Sequence, residues 1–214
     1  MVAAAAFAAT PPLLTAALEN FRADAPRGWS FTQATSAEGK STNERFDATK
    51  AEFERWTLIG KDGRTPTAEE AQDYTEMRSR RSRGGTAPKL TDQFDLGTTE
   101  VAADSPERTT YRLQMKPGET GDRTAAFLRV TIVVHKPTRT VESIELASTG
   151  AFSPTIGVKI VELATKLTYS VPTADRPSLP QAVTTHVRGT AFFFKSLDAD
   201  MTVIFADYES VRKK

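Results

Sequence analysis

The segments ERTTYRLQMK (107–116), LRVTIVVH (128–135) and VESIELA (141–147), the last two separated by KPTR (136–139), decide the fold. Tyr111, Leu113 and Met115 alternate with Thr110, Arg112 and Gln114, and Val130, Ile132 and Val134 alternate with Arg129, Thr131 and Val133. A repeat of two places successive side chains on opposite faces of an extended chain, so each segment reads as a half-buried strand. Lys116-Pro117-Gly118, Gly121-Asp122 and Lys136-Pro137 punctuate the run with turn residues. Beyond Ser153-Pro154, residues 156–162 and 167–171 are rich in β-branched and aromatic types. A last pair, 183–195 and 201–208, is joined across Leu197-Asp198-Ala199-Asp200. Strands at this spacing without long helical patterns between them favour an antiparallel meander over a parallel βαβ sheet.

Upstream elements add to that sheet. Thr10 suits an N-cap with Pro11 as the first helical residue, and Leu13, Leu14, Ala17, Leu18 and Phe21 share a helical face that is expected to stop near Pro26 and Gly28. Trp29, Phe31 and Gln33 open a strand, Glu38-Gly39 turns it and residues 40–46 return. Residues 53–59 make a third strand, with Trp56 and Leu58 on one side. Thr67 and Glu70 form a capping box for a helix to about Arg83, ended by Gly84-Gly85. Phe94 and Leu96 mark a return to strand over 90–101. The expected class is α+β, an antiparallel sheet with helices.

The chain has 214 residues, 39% hydrophobic and 26% charged, with a formal net charge of +1, an ordinary globular composition. That balance gives no global electrostatic case for nucleic acid or an anionic membrane. No stretch reaches the roughly 18 apolar residues of a transmembrane helix. There is no cysteine, hence no disulfide, thiolate metal site, cysteine nucleophile or lipidated N-terminal cysteine. MVAAAAFAAT at the start resembles the apolar tail and small-residue cleavage region of a secretory signal, against an alanine-rich extension of the first helix. Residues 1–9 are therefore expected to be a signal remnant of an exported protein. With no linker or repeat, residues 10–214 are expected to form one domain.

Patterns of chemistry are few. Gly39-Lys40-Ser41 imitates the end of a phosphate loop, but Ala34 stands where its first glycine belongs and an alternating strand follows. His135 and His186 belong to different strands, and no nucleophile or metal pattern surrounds them. Asp198 and Asp200 read as turn carboxylates. Arg78, Arg80, Arg81 and Arg83 read as a solvated helix end complementing the helix dipole, or as an anion patch. No cofactor or metal is expected. What remains is apolar: Phe192-Phe193-Phe194 ends a strand, with Phe192 and Phe194 on one face. A groove between sheet and helices lined by Trp56, Leu58, Leu113, Met115, Phe192 and Phe194 would shelter a lipid-like ligand. A filled core is the alternative.

The order of elements resembles the periplasmic lipoprotein-carrier group, LolA and LolB. An amphipathic N-terminal helix precedes early strands, then an inserted helix, then a long meander. The segments ERFD (44–47), WTL (56–58) and DGRTPTAEE (62–70), with Leu179-Pro180 before a strand and the closing Asp207-Tyr208, are similar to segments of exported bacterial proteins of that kind. The resemblance implies an eleven-strand half-barrel with helices over the concave face of an apolar cavity, periplasmic residence, and a lipid or acylated protein as partner. It transfers no ligand-binding residue. The missing cysteine argues against the anchored acceptor type and leaves the soluble carrier. A cell-envelope scaffold with a filled core, and an enzyme using His135 or His186 beside a carboxylate, are the other readings.

Overall fold

The computed structural model describes residues 10–19, 21–22, 28–81, 90–117, 124–192 and 194–211. The expected leader remnant, the helix stop at Pro26, Arg83, Gly84-Gly85, Gly121-Asp122 and Phe193 lie outside them.

Among the described residues two helices, α1 (Pro12–Glu19) and α2 (Ala68–Arg81), accompany eleven strands. The first three are β1 (Trp29–Ala37), β2 (Lys40–Phe46) and β3 (Trp56–Lys61). The long meander follows as β4 (Phe94–Asp104), β5 (Arg108–Met115), β6 (Leu128–His135), β7 (Thr140–Ser148) and β8 (Val158–Tyr169). It closes with β9 (Pro180–Ala191), the two-residue β10 (Lys195–Ser196) and β11 (Ala199–Ser210). They make one antiparallel sheet in the order β3-β2-β1-β11-β9-β8-β7-β6-β5-β4, with β10 pairing β9. The sheet does not close on itself: β3 and β4 are its edges. Two hairpin-connected runs are joined by pairing of β1 with β11. Glu38 and Gly39 link β1 to β2 with φ of 51° and 76°. Those are the left-handed values that a tight two-residue hairpin turn requires.

Directly paired residues project to the same side, so register traces one face across the sheet. Thr35, Val203, Val183, Leu167, Ile144, Ile132 and Tyr111 form one continuous line from β1 to β5. Pairing of Phe31 with Phe46, and of Phe46 with Trp56, continues that face to the β3 edge. Both helices sit on it. Leu14 and Ala17 of α1 are buried against Val130, Ile132, Val134, Val141 and Ile144. Each such aliphatic side chain contributes about 1.5–3 kcal/mol by leaving water. At the other end of the face, Arg78 of α2 donates to Glu44 and lies 4.2 Å over the Trp56 ring.

The capping box is formed as expected. The Thr67 backbone N–H donates to Glu70 Oε2 at 2.8 Å and the Glu70 N–H to Thr67 Oγ1 at 3.2 Å. Arg64 and Lys61 also reach the Glu70 carboxylate, holding its pKa far below the ordinary value.

Several expectations are corrected. The first helix ends at Glu19, so Phe21, expected on its apolar face, lies beyond it. The segments Glu52–Glu54 and Leu90–Gln93 are 3-10 turns, so β3 begins at Trp56 and β4 at Phe94. Residues 156–162 and 167–171 are not two strands. Ala164, Thr165 and Lys166 pair with β7 on one side and β9 on the other, which keeps β8 unbroken to Tyr169. The strand before the phenylalanine run stops at Ala191, because Phe192 takes φ of 49° and donates its N–H to the Gly157 carbonyl at 2.6 Å.

Candidate functional site

Beneath α1, Phe94, Leu113, Val130, Ile132 and Val134 are sealed from water. Towards the β3 edge, Phe31 stacks on Phe46 with ring centres 5.0 Å apart and meets Trp56 edge-on at 5.6 Å. Phe205 and Tyr208 join from β11 at 5.9 and 5.4 Å. Between these two filled regions run β8, β9 and β11. Their side chains on the same face include Leu163, Leu167, Val183, Val187, Met201 and Val203, and every one remains half-buried. Thr165 and Thr185 pair among them, their hydroxyls 3.2 Å apart. Extensive helix packing is confined to β6 and β7 for α1 and to β3 for α2. The centre of the helix-bearing face is thus an apolar strip relieved by threonines.

The strip leads into a cavity. Alternation along β8 carries the row from Leu163 through Leu167 to Tyr169, which is buried and meets Phe21 edge-on at 5.1 Å. Here Ala17, Phe21, Val141, Tyr169, Pro172 and Pro177 line a space of about 300 Å³ between the end of α1 and the loop after β8. That volume matches the lower end of small-molecule sites, and its lining is apolar apart from Arg22, Thr140 and Ser178.

The six residues singled out from the sequence do not share one space. Trp56 and Leu58 lie beneath α2, Leu58 buried and Trp56 under the Arg78 guanidinium. Leu113 and Met115 belong to the α1 core, with seven strands between β3 and β5. Phe192 and Phe194 stand in a turn, exposed, instead of side by side on a strand. None of the six lines the cavity beside Tyr169. The strip residues were missed although their strands are successive in the chain as well as in the sheet, because threonines and Lys166 interrupt their apolar runs. Their signal was present in the alternations LATKLTY (163–169) and VTTHV (183–187).

Arg78 is likewise not a solvated cation. It is half-buried, donating from Nε to the Tyr74 hydroxyl at 2.9 Å as well as to Glu44. Burial raises the Tyr74 pKa well above its ordinary value.

The opposite face is polar. His186 Nδ1 lies 2.6 Å from Asp200, whose second oxygen accepts from Arg188 at 2.8 Å. Hydrogen bonds from Arg188 first, then His186, lower the Asp200 pKa. His135 instead contacts Thr138 at 2.7 Å. Register places His186 on the line of Ala164, Ala147 and Arg129, six residues along β6 from His135, so the histidines do not converge. Asp198 accepts the Gly189 N–H at 3.1 Å, in keeping with a turn role. Among the described residues no group of acidic, histidine or cysteine side chains is placed to hold a metal, and no helix is long and apolar enough to cross a membrane.

No protein-family model, no curated protein and no solved structure matches this chain.

Proposed function

We propose that this chain is a non-enzymatic binding or carrier protein of the periplasm, whose sheet curves as a half-barrel of the LolA and LolB kind and takes a lipid-like or acylated ligand on its helix-bearing face. The observation that carries the reading is the half-buried apolar strip on β8, β9 and β11, flanked by helices and opening into the cavity beside Tyr169. An acyl chain laid along it would bury methylenes at roughly 0.8 kcal/mol each. Eleven antiparallel strands, unclosed, with both helices on one side, agree with the architecture that the resemblance implies.

The test is solvent extraction of the purified protein followed by mass spectrometry, with titration of a fluorescent fatty acid. Copurified lipid and saturable binding are expected. Thr185→Trp, which fills the centre of the strip, is expected to weaken fatty-acid binding by about tenfold or more while leaving the thermal transition in place. Reproducible absence of lipid together with no fatty-acid binding ends the reading. A second reading, an envelope scaffold, is favoured by the complete filling beneath α1 and around Trp56; a copurifying protein without lipid would select it.

A further inference from the structure

The end of the sheet where β6 and β8 begin and β7 and β9 finish carries an apolar surface that neither helix touches. Ile156 is 98% exposed, Phe194 87%, Phe192 64% and Phe127 38%. Single exposed apolar residues are common, but these belong to loops that are fastened together. Thr149 donates its N–H to the Phe127 carbonyl at 2.8 Å, and Phe127 stacks on Phe152 at 5.8 Å. Phe192 is held to Gly157, next to Ile156, by the 2.6 Å hydrogen bond described above. Phe192 also occupies a left-handed backbone position where glycine would be unstrained, so a bulky ring is kept in the turn at a conformational cost.

The charged side chains within the tip itself have one sign; the carboxylates next in sequence, Glu162 and Asp198, flank it, Asp198 accepting the Gly189 N–H at 3.1 Å. Residues 124–128, 150–161 and 189–197 contain no aspartate or glutamate, and their charged side chains are Lys159 and Lys195, both exposed. Register sets Lys159 opposite Thr190 and Lys195 opposite Ala191, immediately beside the Phe192 turn. Rings and an isoleucine in front with lysines just behind is the arrangement that enters the interfacial layer of a bilayer while its cations meet the headgroups. We propose that this tip docks the protein onto a lipid bilayer bearing anionic headgroups. The inference is independent of the carrier reading.

Because the chain has no cysteine, Phe194→Cys gives a single labelling site, with Asp175→Cys at the opposite end as control. An environment-sensitive dye at 194 is expected to shift to the blue on vesicles of phosphatidylethanolamine and phosphatidylglycerol, and the dye at 175 is not. In co-sedimentation, Ile156→Ser and Phe194→Ser in the full chain are each expected to lower partitioning roughly tenfold. Lys159→Glu with Lys195→Glu is expected to remove the preference for phosphatidylglycerol over phosphatidylcholine, an effect that added salt reproduces. All four positions are exposed, and unchanged circular dichroism and fatty-acid titration would place the loss at the tip. Wild-type protein that leaves both vesicle types unbound overturns the proposal, as does undiminished binding by the serine variants. A dimer split by the serine variants, with no vesicle binding, would assign the patch to a second copy of the chain and also overturn it.

Discussion

The two helices cover the same face by different means. Beneath α1 the contact is aliphatic, with Leu14 and Ala17 against valines and isoleucines that exclude water completely. Beneath α2 it rests on Tyr74 and Arg78, four residues apart, while Gln72, Asp73, Thr75, Glu76 and Met77 face solvent. The first contact is non-directional and grows with area, so it fixes α1 firmly. The second depends on a few oriented groups, an ion pair that must offset its own desolvation and a cation lying over a ring. If one side of the central strip opens for a ligand, the physics assigns the movement to α2.

Three measurements would break or sharpen this contrast. The largest effect is expected for Ile132→Ala, which hollows the α1 core and should cost about 2–5 kcal/mol in chemical denaturation. Arg78→Ala should cost about 2–3 kcal/mol, because Glu44 is left buried without its cation. Replacing both partners, Arg78→Met with Glu44→Gln, should recover most of that loss. If the double variant stays as unstable as the single one, α2 is held by something other than the pair. The smallest effect concerns Glu70. Its pKa is depressed when folded, so its contribution to anchoring α2 is present above the ordinary value of 4.5 and fades as pH falls. The protection factors of α2 amides, which allow for slower intrinsic exchange in acid, should therefore fall on acidification, and Glu70→Gln should flatten that dependence. An unchanged acid response would show that the helix start is anchored by other groups.

The sheet was legible in the sequence because half-buried strands alternate with period two. Residues 107–116, 128–135 and 141–147 came out as strands, alternation picked out the buried Tyr111, Leu113, Val130, Ile132 and Val134 of the first two, and Thr67 with Glu70 announced the start of α2. The failures have physical causes. Residues 163–166 were left unassigned between two strand-like segments, yet Ala164, Thr165 and Lys166 are paired on both sides. Phe192 and Phe194 fitted a strand by alternation, but alternation cannot foresee a positive φ. The strip was overlooked although β8, β9 and β11 are successive; only the pairing of Val203 with Thr35 joins residues far apart in the chain. Arg78 was misread because a helix wheel does not reveal which strand, with which carboxylate, will lie beneath.

Insertion of the last strand has a consequence for how the chain is made. Thr32 and Asp207, bridged by a 2.7 Å hydrogen bond, are 175 positions apart in sequence. β11 must therefore have left the ribosome before the two hairpin arrays can merge, and until then β1 and β9 each present a row of unpaired amides. Contacts this distant make folding slow. Such a latency leaves a nascent polypeptide threadable while it is being produced, and a truncation removing β11 would leave two adhesive borders prone to aggregation.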